Sequence, residues 1–248
     1  MIGLGLDWLV ARPIAHRGLH DFSRGVIENT ATAFAAAITG GYAIECDLQL
    51  TADGEAVVFH DETLERLIEA EGRVKNLAAP AMQKLTIRHS DDRVQTLREL
   101  LEQVDGEVPL LIELKSHWDG NNVLVKRAIE TLRGYSGRHA LMSFDPDMVE
   151  AVRKLSPLTT RGIVADRGIN EYYDWLPPEQ RLELRNFSHV ARTEPHFVSF
   201  HFRDLPFAPV TQLRQAGRPV ISWTIRSPEE AVLALRHSDQ VTFEGFLP

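Results

Sequence analysis

The sequence predicts an α/β fold, a TIM (β/α)8 barrel, on three observations. Short apolar runs bounded by turn signals alternate with stretches of helical period along the whole chain, the pattern of a parallel sheet covered by helices. There are eight such runs, the strand number that closes such a barrel. The chain has 248 residues, 44% of them apolar and 25% charged, which suits one barrel with a large core and argues against a disordered or collagen-like chain.

In order, the runs are 13–17 (PIAHR), 43–49 (AIECDLQ), 109–115 (PLLIELK), 139–144 (HALMSF), 160–165 (TRGIVA), 197–202 (FVSFHF), 219–225 (PVISWTI) and 240–244 (QVTFE). Helix signals fall between them. Asn29 caps a helix through Phe34 and Ile38 that stops at Gly40-Gly41. Asp145-Pro146 opens another with proline at its first position, and Ser227-Pro228-Glu229-Glu230 reads as a capping box. The second and third runs are about 67 residues apart, roughly 40 more than a strand, loop and helix unit needs. The surplus falls at 52–95 and starts with a hairpin signal in which Asp53-Gly54 is a favoured two-residue turn. The expectation is one barrel domain over 1–248 with a small insertion at 52–95. The N-terminal stretch MIGLGLDWLVARP lacks a basic region and a cleavage site and is interrupted by Asp7, so it reads as a segment packed on the domain.

Composition excludes several classes. The formal charge is −8, from 35 acidic and 27 basic residues, and without a Lys/Arg block this argues against nucleic-acid binding. No run of about 18 apolar residues occurs, so no membrane span is expected. Cys46 is the only cysteine, which rules out an intramolecular disulfide and a Cys-rich zinc module and points to a reducing compartment, the cytoplasm. The expected partner is a small molecule, and nothing in the sequence fixes an oligomeric state.

The chemistry shows where the apolar pattern breaks. Strands of a parallel barrel are buried on both faces, yet Glu45, Asp47 and Glu113 sit inside two of them. Residues two apart share a face, so Glu45 with Asp47, and Glu113 with Lys115, converge from adjacent strands. Three close carboxylates need a cation, either Arg or Lys partners or a hard divalent ion. Oxygen donors without thiolate suit Mg²⁺ or Ca²⁺, with Mn²⁺ also within range. His16 and Arg17 end the first strand at the rim where barrel sites form. A two-residue turn at Asp53-Gly54 would set Asp47 opposite His60, so both histidines would flank the acids. Two imidazoles suit proton transfer in phosphoryl chemistry, while Arg17 and Lys115 suit phosphate oxygens or, alternatively, ion pairing with the acids.

The ordered set His16-Arg17-Gly18, Glu28-Asn29-Thr30, Glu45-Cys46-Asp47-Leu48-Gln49-Leu50-Thr51, Asp53-Gly54, Val57-Val58-Phe59-His60-Asp61 and Glu113-Leu114-Lys115 resembles the glycerophosphodiester phosphodiesterase family. Further matches at Thr96-Leu97-Arg98-Glu99-Leu100, Ser143-Phe144 and Trp223-Thr224 extend the resemblance over nearly the whole chain. It implies a TIM barrel with a small insertion after the second strand. It also implies catalytic histidines at His16 and His60, metal carboxylates at Glu45, Asp47 and Glu113, and phosphate contacts at Arg17 and Lys115. The implied reaction is hydrolysis of a glycerophosphodiester to sn-glycerol 3-phosphate and an alcohol, through a cyclic phosphate formed by attack of the glycerol 2-hydroxyl. Three positions depart from the family pattern. Ile27 replaces a proline, Arg226 a frequent asparagine, and Phe243-Glu244 a frequent threonine-aspartate pair. The last two bear on substrate preference.

Two rival readings remain at this stage, a cyclising phospholipase-like enzyme and a non-catalytic phosphodiester-binding barrel. The sequence shows no basic amphipathic helix or apolar lobe for bilayer docking, which weighs against a lipid substrate. Trp223 reads equally as barrel packing or as an aromatic wall of the pocket. Glu28 reads as an orienter of His16 or Arg17. The other histidines are expected to be structural, with His201 at a strand end the first exception, and Cys46 is expected to face the helices and stay inert. Residues 166–196, with Tyr172, Tyr173, Trp175 and Pro177-Pro178, form a long loop with helix and are a candidate for shaping the substrate mouth.

Overall fold

The computed structural model describes residues 5–248. Its strands are β1 (Ile14–Ala15), β2 (Ala43–Leu50), β3 (Ala56–Val58), β4 (Leu110–Leu114), β5 (His139–Ser143), β6 (Thr160–Ala165), β7 (Phe197–His201), β8 (Val220–Ile225) and β9 (Gln240–Phe243). Eight of them run parallel and close into a ring, β1-β2-β4-β5-β6-β7-β8-β9, with β9 returning to β1. β3 lies outside the ring, antiparallel on the C-terminal half of β2. The helices are α1 (Ala31–Gly40), α2 (Ala79–Met82), α3 (Leu97–Val104), α4 (Val123–Leu132), α5 (Pro146–Leu155), α6 (Pro178–Asn186), α7 (Val190–Thr193), α8 (Ala208–Gln215) and α9 (Pro228–Ala234). The fold is a TIM barrel, and each of the eight predicted runs contains one ring strand.

Alternation along the strands sorts the side chains into two layers. Ile44, Cys46 and Leu48 of β2 and Leu110, Ile112 and Leu114 of β4 point outward, where they are buried against Phe34 and Ala37 of α1 and Leu97 and Leu100 of α3. Inside the ring, Ile14, Ala43, Leu111, Ala140, Val164, Phe197 and Ile221 form a second apolar cluster joined by Leu6 and Leu9 of the N-terminal segment. Each large apolar side chain buried in these layers contributes roughly 1.5–3 kcal/mol. Gly162 of β6 leaves room for the Phe197 ring, since a Cβ there would stand 2.3 Å from Cζ. The lower interior is therefore filled by apolar side chains, and the inward positions further along β2 and β4 are Glu45, Asp47 and Glu113.

Residues 59–96 pack around a cluster of their own, in which Leu64, Ile68, Val74, Met82, Ile87 and Val94 join Ile27, Val57 and Phe59. This cluster is separate from the two apolar layers of the ring. Of the N-terminal stretch, residues 1–4 lie outside the described residues, and Leu6 and Leu9 are buried as expected of a packed segment.

Three local expectations are corrected. The cap of α1 is Thr30, whose Oγ1 accepts from Ala33 N, rather than Asn29. Asn29 has φ 56° and turns its side chain to Asp47 instead. The hairpin between β2 and β3 has a three-residue loop, because Thr51 N donates to Glu55 O, and Gly54 takes the left-handed position at φ 79°. The register therefore moves by one, pairing Leu48 with Val58 and setting Asp47 against Phe59 rather than His60. At α9 the capping box is half formed. Ser227 Oγ accepts from Glu230 N, but the Glu230 carboxylate turns to Arg226 N. The reciprocal box occurs at α3, between Thr96 and Glu99.

Candidate active site

The site lies at the C-terminal ends of the ring strands. Glu45, Asp47 and Glu113 are all buried, and one carboxylate oxygen from each lies within 4.8 Å of the others. Each acid is held from a different direction. After β1 the chain turns through two left-handed residues, Arg17 at φ 55° and Gly18 at φ 79°, which aims Arg17 N at Glu45 Oε2 at 2.9 Å. Gly18 also passes close to α1, where a Cβ would meet Ala33 and Phe34 at 3.0 Å. Asn29 donates through Nδ2 to Asp47 Oδ2 at 2.8 Å and accepts from Asp47 N. Lys115 Nζ sits between Asp47 Oδ1 at 2.8 Å and Glu113 Oε1 at 2.5 Å.

The electrostatics follow from burial and proximity. Burial, then repulsion from Asp47 and Glu113, pushes the Glu45 carboxyl well above its ordinary pKa despite Lys115 and Arg17. Burial also opposes ionisation of Asp47, but Lys115, His60 and Arg17 outweigh it and hold Asp47 below the carboxylate range. Lys115 is raised, because Asp47 and Glu113 outweigh its desolvation. Lys115 bridges Asp47 and Glu113, and Arg17 Nε lies 3.4 Å from Asp47 Oδ2, so two cations face three acids and Glu45 is left short of positive charge. Hard oxygen donors, convergence and uncompensated negative charge together fit a divalent cation held by Glu45, Asp47 and Glu113.

Both histidines flank this cluster, each with Nδ1 engaged by a carboxylate. His16 Nδ1 lies 2.5 Å from Glu244 Oε2, and its Nε2 faces Glu45 Oε2 at 3.9 Å. His60 Nδ1 lies 2.6 Å from Asp61 Oδ1. With the carboxylate accepting from Nδ1–H, Nε2 is the nitrogen left to meet a ligand. His60 reaches the site although the register differs from the expected one. Pairing with β2 ends at Phe59, and Gln49 Nε2 then holds the His60 carbonyl at 3.0 Å. Burial lowers the His16 pKa, and the hydrogen bond to Glu244 partly restores it.

The last strand contributes a group that pattern reading did not assign to the site. Glu244 accepts from His16, pairs through Oε1 with Arg226 Nη2 at 2.7 Å and has His20 Nε2 at 3.7 Å. Burial opposes its charge, but His16, His20 and Arg226 keep it below the ordinary range. Arg226 and Glu244, both departures from the family pattern, are thus one ion pair, and His20, expected to be structural, stands beside it. A second run of ion pairs joins His60 to Arg17. Asp61 accepts from Arg66 Nε at 2.6 Å, Arg66 Nη2 donates to Glu28 Oε1 at 2.7 Å, and Glu28 Oε1 accepts from Arg17 Nη1 at 2.6 Å. Burial works against the Glu28 charge, yet Arg66 and Arg17 bring its pKa down to about 2. Glu28 therefore orients Arg17, one of the two roles expected for it. Arg17 and Lys115 both show the ion-pairing geometry, while standing at the wall of the inner cavity.

Two adjoining cavities open here. The inner one, about 170 Å³, is lined by His16, Arg17, Glu45, His60, Glu113, Lys115 and Trp223 among others. The outer cleft, about 490 Å³, shares His60, Glu113, Lys115, Phe144 and Trp223 and runs out to Trp118, Asp166, Tyr172 and Tyr173. Trp223 is thus a half-buried part of the wall of both, set edge-on to Phe144 at 5.4 Å. His201 stays on the outside of the site, bonded to Asp204 at 3.2 Å with its ring 5.1 Å from Trp223. The segment after β6 carries four exposed apolar side chains, Ile169, Tyr172, Trp175 and Leu182, of which Tyr172 lines the outer cleft. Among the described residues no helix is long and apolar enough to cross a membrane.

Similarity to known proteins follows the same geometry. Residues 16–239 match the model of the glycerophosphoryl diester phosphodiesterase family. A glycerophosphodiester phosphodiesterase of Caldanaerobacter subterraneus subsp. tengcongensis is 30% identical over 227 residues, 88% of this chain and 86% of that protein. A putative glycerophosphodiester phosphodiesterase of Bacillus subtilis, YhdW, is 26% identical over 228 residues, covering 88% and 87%. A phosphodiesterase of Oleispira antarctica, solved in complex with the product sn-glycerol-3-phosphate, shares the fold with a TM-score of 0.78 at 20% identity, over 95% of this chain and 93% of that one. The ordered site residues, the closed barrel and the extent of these matches make the chain a member of the glycerophosphoryl diester phosphodiesterase family, enzymes that hydrolyse glycerophosphodiesters.

Proposed function

We propose that the enzyme hydrolyses glycerophosphodiesters to sn-glycerol 3-phosphate and an alcohol with one divalent cation, Mg²⁺ or Ca²⁺ with Mn²⁺ a third candidate, held by Glu45, Asp47 and Glu113. The observation that carries this is a cluster of three buried carboxylates flanked by two histidines, each fixed through Nδ1 by its own carboxylate. When bound, the cation supplies positive charge beside the reacting oxygens. His16 lines only the inner cavity, so it is assigned the proton of the attacking hydroxyl. His60 lines both cavities, so it is assigned the proton delivered to the leaving alcohol, which departs through the outer cleft. In the route favoured here, the glycerol 2-hydroxyl loses its proton to His16 Nε2 and its oxygen bonds to phosphorus. The bond to the leaving oxygen breaks and that oxygen takes the proton of His60. The products are a cyclic phosphate and an alcohol, and water then opens the ring. Arg17 and Lys115 face the developing negative charge on the nonbridging oxygens. Trp223 supplies an apolar wall. A reducing compartment, the cytoplasm, is supported by the lone, buried Cys46, whose thiol burial pushes up.

Turnover of glycerophosphodiesters followed by phosphorus NMR, with and without chelator, tests the assignment. Activity should vanish on chelation and return with Mg²⁺ or Ca²⁺, and Glu45→Ala should lose activity and metal response together. Full chelator-sensitive activity in that variant would show that the ligand set is wrong. A substrate lacking the 2-hydroxyl should be inert, and its turnover at the normal rate would replace the cyclic route by direct attack of water.

A further inference from the structure

Glu244 is faced by two imidazoles, although orienting the base requires only one. The turn through Arg17 and Gly18, both left-handed, folds the chain back so that His20 comes to stand beside His16 at the same carboxylate. Leu19 N donates to Ala33 O, which ties this turn to α1. One ligand atom from each of His16, His20 and Glu244 lies within 4.8 Å of the others. Their side chains are 16%, 21% and 19% exposed, so the trio is partly open to solvent.

The two rings are not equivalent. His16 Nδ1 is hydrogen-bonded to Glu244 Oε2 at 2.5 Å. His20 Nε2 is aimed at the same oxygen from 3.7 Å, too far for a hydrogen bond, and among the described residues this shielded nitrogen has no partner. A buried ring nitrogen without a partner calls for an explanation. Two bonds of about 2.0–2.2 Å that meet at a tetrahedral ion span roughly 3.4 Å, near the separation at which His20 is held. Arg226 takes the other carboxylate oxygen, Oε1, at 2.7 Å and leaves Oε2 turned to the imidazoles. The donor set also differs from that of the acid cluster. Three carboxylates suit hard ions, whereas two imidazole nitrogens with one carboxylate suit borderline ions such as Zn²⁺. We propose that His16 Nδ1, His20 Nε2 and Glu244 Oε2 form a second cation site, for a divalent ion of the zinc type, separate from the carboxylate site.

Occupancy has a chemical consequence. A ring nitrogen must be deprotonated to bind a metal, so the His16 proton passes from Nδ1 to Nε2. Nε2–H is a donor and has no lone pair to take the proton of the attacking hydroxyl. The ion would thus arrest the base without displacing anything from Glu45, Asp47 and Glu113. This inhibition rests on the diester-hydrolysis reading above, while the site itself does not.

The test titrates ZnCl2 by calorimetry into enzyme saturated with MgCl2 and follows hydrolysis of one glycerophosphodiester in parallel. His20→Gln keeps a hydrogen-bond donor beside Glu244 but removes the imidazole. The wild type should bind zinc and be inhibited by it. His20→Gln should weaken binding about tenfold or more and raise the half-inhibiting zinc concentration by a similar factor, with zinc-free kcat/KM within about threefold of the wild type. Glu45→Ala, in which the acid cluster is broken, should keep the zinc signal. Absence of zinc binding, binding unmoved by His20→Gln, or loss of the signal in Glu45→Ala overturns the second site. Zinc that binds through His20 without inhibiting keeps the site and counts against His16 as the base, so the two readings fail separately.

Discussion

At the scale of single residues, the site divides into groups that would meet the substrate and groups that hold them. Glu244 belongs to the second kind. It fixes His16 at 2.5 Å and is itself tied to Arg226, so its loss frees the imidazole to rotate while leaving the pocket walls in place. Glu244→Gln is expected to lower kcat by roughly 10²-fold with KM changed less than about threefold, and Glu244→Asp to recover part of the loss. Steady-state kinetics on one diester checks the split, and a change confined to KM would assign Glu244 to substrate binding instead. The three acids were legible in the sequence because polar residues in buried strands have to be explained, whereas His16, Arg17, His60 and Lys115 lie just past strand ends and were legible through the ordered set of motifs. Glu244 was visible only as a departure from a pattern, since nothing in one strand says which residue 228 positions away it will touch. Asp61 stood in plain view next to His60, and adjacency alone did not assign it the Nδ1 contact. Asp166, Tyr172 and Tyr173 come from a segment without periodicity and Trp118 from the loop after β4, so their convergence on the outer cleft is a property of the folded chain.

At the scale of elements, the start of α1 shows how a cap and a site residue trade places. Thr30 and Asn29 are both favoured N-caps, and the sequence cannot choose between them. Asn29 tolerates the left-handed conformation at φ 56° and reaches Asp47, while Thr30, in extended conformation, caps the helix. The two roles separate experimentally. Thr30→Ala should cost about 1 kcal/mol in stability and keep activity within about twofold. Asn29→Gly, which keeps the backbone conformation and removes only the amide, should lower kcat/KM by roughly tenfold with a smaller effect on stability. Calorimetry and turnover on the same samples decide it, and the opposite pattern would restore Asn29 as the cap. The hairpin carries a similar lesson. Asp53-Gly54 correctly marks a turn, but one more loop residue shifts the register, and His60 arrives because the strand ends rather than because it alternates.

At the scale of the whole molecule, the eight ring strands were legible because each is a short apolar run between turn signals, and only their ends moved. Stability against acid is also a property of the whole fold. His189 is fully buried, packs on the Phe187 ring at 4.6 Å, and among the described residues has no hydrogen-bond partner at either ring nitrogen. Burial first, with Arg192 adding to it against the opposing charge of Glu183, lowers its pKa to about 4. The neutral ring is therefore favoured in the folded state. Its contribution, about 3 kcal/mol by linkage, is complete above pH 6.5 and is lost as the pH falls through 4. His189→Leu should flatten the melting temperature between those two values, leaving the steeper loss at lower pH where carboxylates such as Glu28 take up protons. An unchanged slope would place the acid sensitivity elsewhere. Ring closure has a consequence of its own. His16 N donates to Phe243 O, and the next residue, Glu244, fixes the His16 side chain. The seam where the two ends of the barrel meet is thus also where one of the two imidazoles acquires its orientation. Without the last strand His16 would lose both its backbone partner and the carboxylate that orients its ring. Full activity on refolding is then expected only once the circle is shut.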